Sequence, residues 1–302
     1  MHILFDIGGT NTRIARTRDM ENLDEPIVFN TPEEYEVGFR EFVSETWKLA
    51  SGEKIDGITG GVAGPWSRKT QRLIASPNLP QWIDKPLKED LEREFGCIVN
   101  VENDAAMAAL GEAHYGAGKG FEIVVYFTIS TGIGGARIVK GEIDERIIGF
   151  EPGHQIVDMD VTVFPDAQGV DLESMIGGRW IEARTGKKPF EIDDKDFWEK
   201  VSRVLAVGLN NTIVHWSPDV VILGGSMMKK IGVPFDRVEA HLRQIIKIYP
   251  EIPPLKKSKL GDLGGLYGAL AYINQQSTTN PDSASGTEDP RSTILPNRDR
   301  DD

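Results

Sequence analysis

The sequence contains one cysteine, Cys97, and no apolar run long enough to span a bilayer. A single cysteine excludes an intramolecular disulfide and any metal site built from several thiolates. Basic residues are also fewer than acidic ones: the sequence has 34 Lys and Arg and 47 Asp and Glu, which gives a formal net charge of -13. That charge repels polyanions and argues against nucleic acid or an anionic membrane as a partner. The N-terminal apolar stretch meets Asp6 too early to form a signal peptide, which predicts a cytoplasmic protein.

A Walker loop is absent as well, because no glycine-rich turn of the chain continues into Gly-Lys-Ser or Gly-Lys-Thr. The 302 residues, 39% of them hydrophobic, are enough for two ordinary domains around one cleft. Because the net charge is negative and no Walker loop is present, any phosphate that the protein binds must be held by local features of the backbone and side chains.

One structural unit occurs twice, a hairpin made of an apolar strand, a glycine-rich turn and a returning strand. Its parts are His2–Ile7, 8–11 and 12–15 in the first copy, and Ile123–Ile129, 130–135 and 136–140 in the second. The repeat predicts two similar α/β domains, residues 1–117 and 118–275, that face each other across a cleft. Residues 276–302 are rich in Ser, Thr, Asn, Asp and Pro, which predicts a disordered tail.

Between and after the hairpins, apolar periodicity predicts helices that alternate with strands. The helices are expected at 33–50, 86–95, 104–114, 172–184, 195–215, 234–246 and 263–273, and the strands at 54–62, 97–101 and 219–223. We expect the last helix to pack back toward the first domain.

Both glycine turns have the composition of a phosphate-binding loop. Glycine lets the backbone approach an anion closely, and a neighbouring carboxylate, hydroxyl or amide adds polar contacts. The residues concerned are Asp6, Gly8, Gly9, Thr10 and Asn11 in the first hairpin, and Thr131, Gly132 and Gly134 in the second. An ordinary hairpin turn is the alternative for either loop alone, but two loops at equivalent points predict a clamp for a polyphosphate.

A third glycine pair, Gly224-Gly225, follows the apolar strand predicted at 219–223. The carboxyl end of such a strand commonly opens onto a ligand crevice, so a nucleoside is a candidate occupant. A simple strand-to-helix turn explains the same residues and, from local sequence alone, is the favoured interpretation.

Polar residues at two further points are candidates for contacts with a substrate. Asn103 and Asp104 follow a predicted strand and begin a helix, where the amide would orient a hydroxyl and the carboxylate would accept its proton. Their alternative role is to cap the helix and complement its dipole. Glu151 and His154 flank a Pro-Gly bend and would grip adjacent hydroxyls, whereas a solvated loop with an incidental histidine is the alternative.

Seven motifs, taken in order, resemble the ROK family. They are FDIGGTN from Phe5, GVAGP from Gly61, NLPQW from Asn78, ENDA from Glu102, TGIGG from Thr131, EPGH from Glu151 and LGG from Leu223. The resemblance extends from about Ile3 to about Ile273, and the EPGH loop is its most family-specific element. It implies the duplicated actin-like ATPase (ribonuclease H-like) fold, a homodimer, and transfer of the ATP γ-phosphoryl group, with Mg²⁺, to a sugar.

The resemblance also implies roles for individual residues. Asp6 would help to organise magnesium, residues 8–11 and 131–134 would hold phosphates, and Gly224-Gly225 would border the adenosine. The residues that would meet the sugar are Asn78, Asn103, Asp104, Glu151, His154 and Glu173, with Asp104 as the general base. Glucose is the favoured sugar, and fructose, mannose, allose and N-acetylhexosamines are the alternatives.

The main departure from the family pattern is the loss of the cysteines that bind a structural zinc. Many members bind zinc through the histidine of the Glu-x-Gly-His motif and three cysteines, and those cysteine positions are Phe164, Asp166 and Asp171 here. Because Phe and Asp do not make a closed zinc site, we expect no structural zinc and a loop 155–171 that is ordered by other packing.

Other functions within the same resemblance are disfavoured to different degrees. ROK transcriptional repressors carry a winged-helix domain before the kinase-like core, and a first strand at His2 leaves no room for it. A catalytically idle sugar sensor stays open. An acetate-kinase-like or hydrolase member of the same fold superfamily is a weaker alternative, because the EPGH loop has no role there.

Overall fold

Two similar sheets, one from each half of the chain, dominate the structure. It is a computed structural model that describes residues 1–144, 149–229 and 232–279. The strands of the first half are β1 (His2–Ile7), β2 (Asn11–Thr17), β3 (Ile27–Asn30), β4 (Gly57–Val62), β5 (Trp66–Ser67), β6 (Arg72–Leu73) and β7 (Ile98–Asn103). Five of them form a sheet in the order β3-β2-β1-β4-β7, and β5 and β6 form a separate two-stranded ribbon.

The second sheet repeats this arrangement. Its strands are β8 (Ile123–Ile129), β9 (Ile133–Val139), β10 (Glu142–Ile143), β11 (Val220–Gly224) and β12 (Leu255–Lys257). They are joined in the order β10-β9-β8-β11-β12, so each sheet combines an antiparallel hairpin with parallel strands on its other side. The shared topology confirms the predicted duplicated α/β fold. The short strands β3, β10 and β12 were not predicted from the sequence.

The second hairpin turn is shorter than the sequence predicted. β9 begins at Ile133, so Gly134 and Gly135 lie in the strand rather than in the turn. They pair with Thr128 and Phe127 of β8. Residue 135 must be glycine for packing and not for turning, because a β-carbon on Gly135 would lie 2.5 Å from the carbonyl oxygen of Tyr126.

Eight α-helices lie within the described residues. They are α1 (Tyr35–Ala50), α2 (Leu87–Phe95), α3 (Asp104–His114), α4 (Leu172–Ile176), α5 (Gly178–Thr185), α6 (Lys195–Trp216), α7 (Phe235–Ile245) and α8 (Gly264–Thr279). The single helix predicted at 172–184 is two helices, because Gly177 between them is extended, with φ -64° and ψ 143°. Within the described residues, no helix has the length and apolar character needed to cross a membrane.

The C-terminal boundary also differs from the prediction. α8 continues to Thr279 and so includes four residues assigned to the tail by composition. The rest of the predicted tail, 280–302, lies outside the described residues.

Helices α3 and α8 lie between the two sheets and pack closely against each other. A β-carbon on Gly268 would lie 1.8 Å from the carbonyl oxygen of Met107, and one on Gly111 would lie 2.4 Å from that of Gly264. α8 shares an apolar cluster with Leu4 and other residues of the first sheet, whereas α3 shares one with β8, β9 and β11. Each half of the chain therefore contributes a helix to the other half.

Candidate active site

Asp104 begins α3 directly after β7, so its carboxylate lies at the carboxyl edge of the first sheet. Its Oδ1 accepts a hydrogen bond from the backbone N–H of Ala105 at 2.8 Å. Burial, first of all, and then the negative charges of Asp6 and Glu151 raise the pKa of Asp104 to about 7. A carboxylate whose pKa lies near neutrality is suited to accept a proton and release it again.

Asp6 approaches the same region from β1. The strand register pairs it with Arg13, whose Nη1 lies 3.7 Å from Asp6 Oδ2. Burial raises the pKa of Asp6 to about 6, against the positive charge of Arg13 and with a further rise from Asp262. Gly265 of α8 lies directly against this carboxyl group. A partly buried and weakly paired carboxylate fits Mg²⁺, which proteins usually hold through one or two carboxylates together with substrate phosphates.

The first glycine turn is closed on itself. The backbone N–H of Gly8 donates to the carbonyl of Asn11 at 3.0 Å, and Thr31 Oγ1 donates to the carbonyl of Gly8 at 2.7 Å. Gly9 and Thr10 are exposed at the tip. The tip is therefore the part of this turn that can meet a ligand.

The second glycine turn lies under Glu173. The backbone N–H of Ser130 closes the turn on the carbonyl of Gly132 at 2.9 Å, and Thr131 is exposed at the tip. Glu173 Oε2 accepts a hydrogen bond from the backbone N–H of Ile133 at 2.6 Å. A β-carbon on Gly132 would lie 2.6 Å from the same oxygen, so a larger residue there would push the Glu173 carboxylate away from the turn.

Gly224-Gly225 ends β11 beside the second turn. Gly225 has φ 94°, a conformation that favours glycine, and a β-carbon there would lie 2.3 Å from the carbonyl oxygen of Ile129. The neighbouring Ser226 Oγ lies 2.8 Å from Ser130 Oγ. The structure thus brings the second and third glycine motifs together.

Asn103 and Glu151 line one pocket between the start of α3 and the strands β9 and β10 of the second sheet. Its lining residues are Asn103, Ala106, Gly135, Ala136, Ile143, Gly149, Phe150 and Glu151. Asn103 is also the N-cap of α3, as the local alternative predicted: its Oδ1 accepts from the N–H of Ala106 at 2.9 Å, and its Nδ2 donates to the carbonyl of Gly64 at 2.9 Å. Burial, and less strongly the charge of Glu173, raise the pKa of Glu151.

The EPGH loop lies tightly against β9. A β-carbon on Gly153 would lie 2.0 Å from the carbonyl oxygen of Ile133, so glycine is required for this approach. His154 follows on the exposed side, with 60% of its side chain accessible, and its Nδ1 lies 3.9 Å from Asp171 Oδ1. The loop thus joins Glu151 and His154 to the strand that leaves the second glycine turn.

The residues at the family's zinc positions serve other purposes. Phe164 is buried, and the guanidinium carbon of Arg184 lies 4.2 Å from its ring centroid. Asp171 caps α4 by accepting a hydrogen bond from the N–H of Ser174 at 3.0 Å, and it forms a β-bridge with Ile156. In the part of the chain that the structure describes, no three His, Cys, Asp or Glu side chains are grouped to hold a metal. Apolar packing and the bridge order this loop.

Asn78 is held by a residue that the sequence analysis missed. Arg179 Nη2 donates to Asn78 Oδ1 at 3.0 Å, although the two residues are 101 positions apart. Asn78 in turn packs on the first glycine turn, because a β-carbon on Gly9 would lie 2.4 Å from Asn78 Cβ. The available signal was an arginine directly after the pair Gly177-Gly178, just beyond the Glu173 helix.

The duplicated sheets and the glycine turns define a protein of the actin-like ATPase class. Residues 3–276 of the chain match the sequence model of the ROK family. A glucokinase from Thermotoga maritima is 31% identical over 305 residues, which cover 90% of this chain and 96% of that protein. The chain belongs to the ROK family.

Two solved structures agree with this assignment. The ROK hexokinase from Thermus thermophilus has a TM-score of 0.77 and 27% identity, with 91% of this chain and 99% of that chain covered. A ROK family glucokinase from Streptomyces griseus, in complex with glucose and AMPPNP, has a TM-score of 0.76 and 25% identity, with 91% and 99% covered.

Proposed function

We propose that this protein transfers the γ-phosphoryl group of ATP to a hydroxyl of a hexose, with glucose as the favoured sugar and Asp104 as the general base. By its family and its kinase relatives, the chain is an ATP-dependent sugar kinase. The observation that carries the assignment of the general base is the partly buried carboxylate of Asp104, whose pKa is raised to about 7, directly after Asn103, which lines a pocket together with Glu151.

The nucleotide would lie along the glycine motifs. The exposed tips of the first and second turns would hold its phosphates, and Gly224-Gly225 would border the adenosine, because the backbone can approach a ligand closely at glycine. Asp6 is the residue that would hold magnesium, which neutralises charge on the phosphates when it is bound. The sugar would contact the side chains of Asn78, Asn103, Glu151, His154 and Glu173.

Asp104 would act on the attacking hydroxyl. As that oxygen forms a bond to the γ-phosphorus, the bond between the γ-phosphorus and the bridging oxygen breaks and ADP leaves. The hydroxyl proton passes to the Asp104 carboxylate, which is ionised in about half of the molecules at pH 7 if its pKa is about 7. Asn103 is held by its cap to α3 and its bond to Gly64, so its remaining amide hydrogen has a fixed direction for a sugar oxygen.

The test is ADP release from Mg-ATP with a panel of sugars compared by kcat/KM: glucose, fructose, mannose, allose and N-acetylhexosamines. We expect the highest kcat/KM with glucose. A higher value for another sugar would change the substrate but keep the reaction, whereas sugar binding without ADP release would indicate a sensor. The cytoplasmic location and the homodimer remain parts of the same proposal.

A further inference from the structure

We propose that Arg179 binds the phosphoryl group while it is transferred and stabilises its negative charge, which makes it a catalytic residue. The inference rests on the proposed function, since it needs a nucleoside triphosphate between the two glycine turns. It concerns a residue that the motifs shared with the family did not indicate.

The main chain of Arg179 is fixed to the second glycine turn. The N–H of Gly178 donates to the carbonyl of Ser130 at 2.8 Å, and the N–H of Arg179 donates to the carbonyl of Thr131 at 2.9 Å. A β-carbon on Gly178 would lie 2.8 Å from the carbonyl oxygen of Ser130, so the start of α5 approaches the turn as closely as it does because residue 178 is glycine.

The side chain of Arg179 reaches toward the first glycine turn. Its Nη2 donates to Asn78 Oδ1 at 3.0 Å, and Asn78 packs on Gly9 at the tip of that turn. The residue therefore bridges the two turns that would hold the nucleotide phosphates, with its main chain on one and its guanidinium near the other.

Electrostatics favour a phosphoryl group as the partner of this guanidinium. Among the described residues, no carboxylate lies within ion-pair distance of Arg179, and its hydrogen-bond acceptor, Asn78, is neutral. The other ionisable groups near the turns are mainly acids: Asp6, Asp104, Glu151 and Glu173. Burial raises the pKa of the first three of these acids, and a neighbouring carboxylate raises each of them further.

A polyanion that enters such an acidic cleft needs positive charge. Arg13 already lies 3.7 Å from Asp6, and its charge partly offsets that carboxylate. Arg179 uses one N–H group on Asn78, and a guanidinium has five, arranged to bind two phosphate oxygens at once. Because Asn78 is neutral, the positive charge of the Arg179 guanidinium is not cancelled and can interact with the phosphoryl oxygens. That interaction stabilises the transition state, in which negative charge shifts during transfer.

The experiment separates a contact with the γ-phosphoryl group from a structural link. Arg179→Met and Arg179→Lys would be compared with wild type and with Arg203→Met, an exposed arginine of α6. Calorimetry in Mg²⁺ would give the Kd for ADP and for AMPPNP. We expect Arg179→Met to bind ADP within about twofold of wild type and AMPPNP about tenfold more weakly, with kcat lower by about 10²–10³. Arg203→Met should match wild type in both Kd values and in kcat.

Chemical rescue supplies a second readout. Millimolar guanidinium should restore part of the kcat of Arg179→Ala and none of the kcat of Asp104→Asn. Equal weakening of ADP and AMPPNP, a loss confined to sugar affinity, or a lower Tm with no rescue would overturn the inference. If wild type turns over no hexose, the proposed function fails, yet the comparison of ADP with AMPPNP still tests Arg179. A wild-type protein that binds neither nucleotide would overturn both.

Discussion

Gly265 of α8 lies directly against the carboxyl group of Asp6: a β-carbon at Gly265 would be 2.8 Å from Asp6 Cγ and 3.1 Å from its Oδ1. α8 cannot easily retreat, because its Gly268 is pressed against the carbonyl of Met107 in α3. An added methyl group would therefore displace the carboxylate rather than the helix. The carboxylate of Asp6, the proposed magnesium ligand, can therefore keep its position only because residue 265 has no side chain.

We expect Gly265→Ala to lower turnover about tenfold or more and to raise the Mg²⁺ concentration needed for half-maximal rate. Gly264→Ala is the matched control, since a β-carbon there would lie 3.5 Å from the nearest atom, Ala108 Cβ, which is an ordinary contact. The measurement is turnover as a function of Mg²⁺ for both variants. The same dependence of turnover on Mg²⁺ in both variants would show that the contact of residue 265 with Asp6 does not affect activity.

Asp104→Asn should abolish most phosphoryl transfer while leaving nucleotide and sugar binding largely intact. Asparagine keeps the shape of the side chain but cannot accept the hydroxyl proton, and loss of a general base commonly costs about 10²–10⁴ in rate. Steady-state kinetics and calorimetry on the same preparation would check both halves of this expectation. Turnover within a few-fold of wild type would mean that Asp104 serves α3 only as a helix-terminal charge.

The stability of the protein should fall as the pH rises from about 4 to about 7. Asp104 and Asp6 have pKa values of about 7 and about 6 in the folded chain, above the ordinary aspartate value of 3.8, so the folded state holds more protons than the unfolded state in this range. Stability contributed by their protonated forms is lost as the pH rises through the folded-state values.

Urea denaturation of the ligand-free protein at pH 5 and pH 8 would measure this dependence. Asp104→Asn should flatten it and be more stable than wild type at pH 8. Asp19→Asn is the control, because hydrogen bonds from Asn22 and neighbouring N–H groups lower the pKa of that exposed carboxyl and move its titration below this pH range. A wild-type midpoint that is unchanged between the two pH values would contradict the assignment.

Purified protein should carry no stoichiometric zinc and should keep its activity after dialysis against a chelator followed by return of Mg²⁺. The reason is the loop itself, where a buried Phe164 lies under Arg184 instead of a metal-bound thiolate. Elemental analysis is the direct measurement, and one tightly held zinc per chain would refute the expectation.

Phe164→Ala tests the same loop by its packing. We expect it to lower the free energy of unfolding by about 3–5 kcal/mol, as is usual when a buried phenylalanine is truncated. Phe190→Ala is the control, since that ring is 60% exposed and its loss should matter little. Thermal or urea unfolding would show the difference, and equal effects of the two substitutions would mean that Phe164 does not order the loop.

The sequence by itself determined the features that depend on local patterns. The strands His2–Ile7 and Ile123–Ile129 and the helix Asp104–His114 have the predicted bounds, because each has a clear apolar period and a recognisable start or end. The duplicated hairpin was visible for the same reason. The N-cap role of Asn103 is local too, since it depends on a bond to a residue three positions away.

Tertiary structure alone decided the contacts between distant segments. The bond between Arg179 and Asn78 and the contact of Gly265 with Asp6 join residues that no local pattern relates. Glu112 is another case: its Oε1 accepts hydrogen bonds from the segment that leads into α8, 146 to 148 positions further on. The raised pKa of Asp104 arises from burial and from carboxylates on other elements, so it is a property of the assembled cleft, because desolvation and charge depend on distance in space rather than on position in the chain.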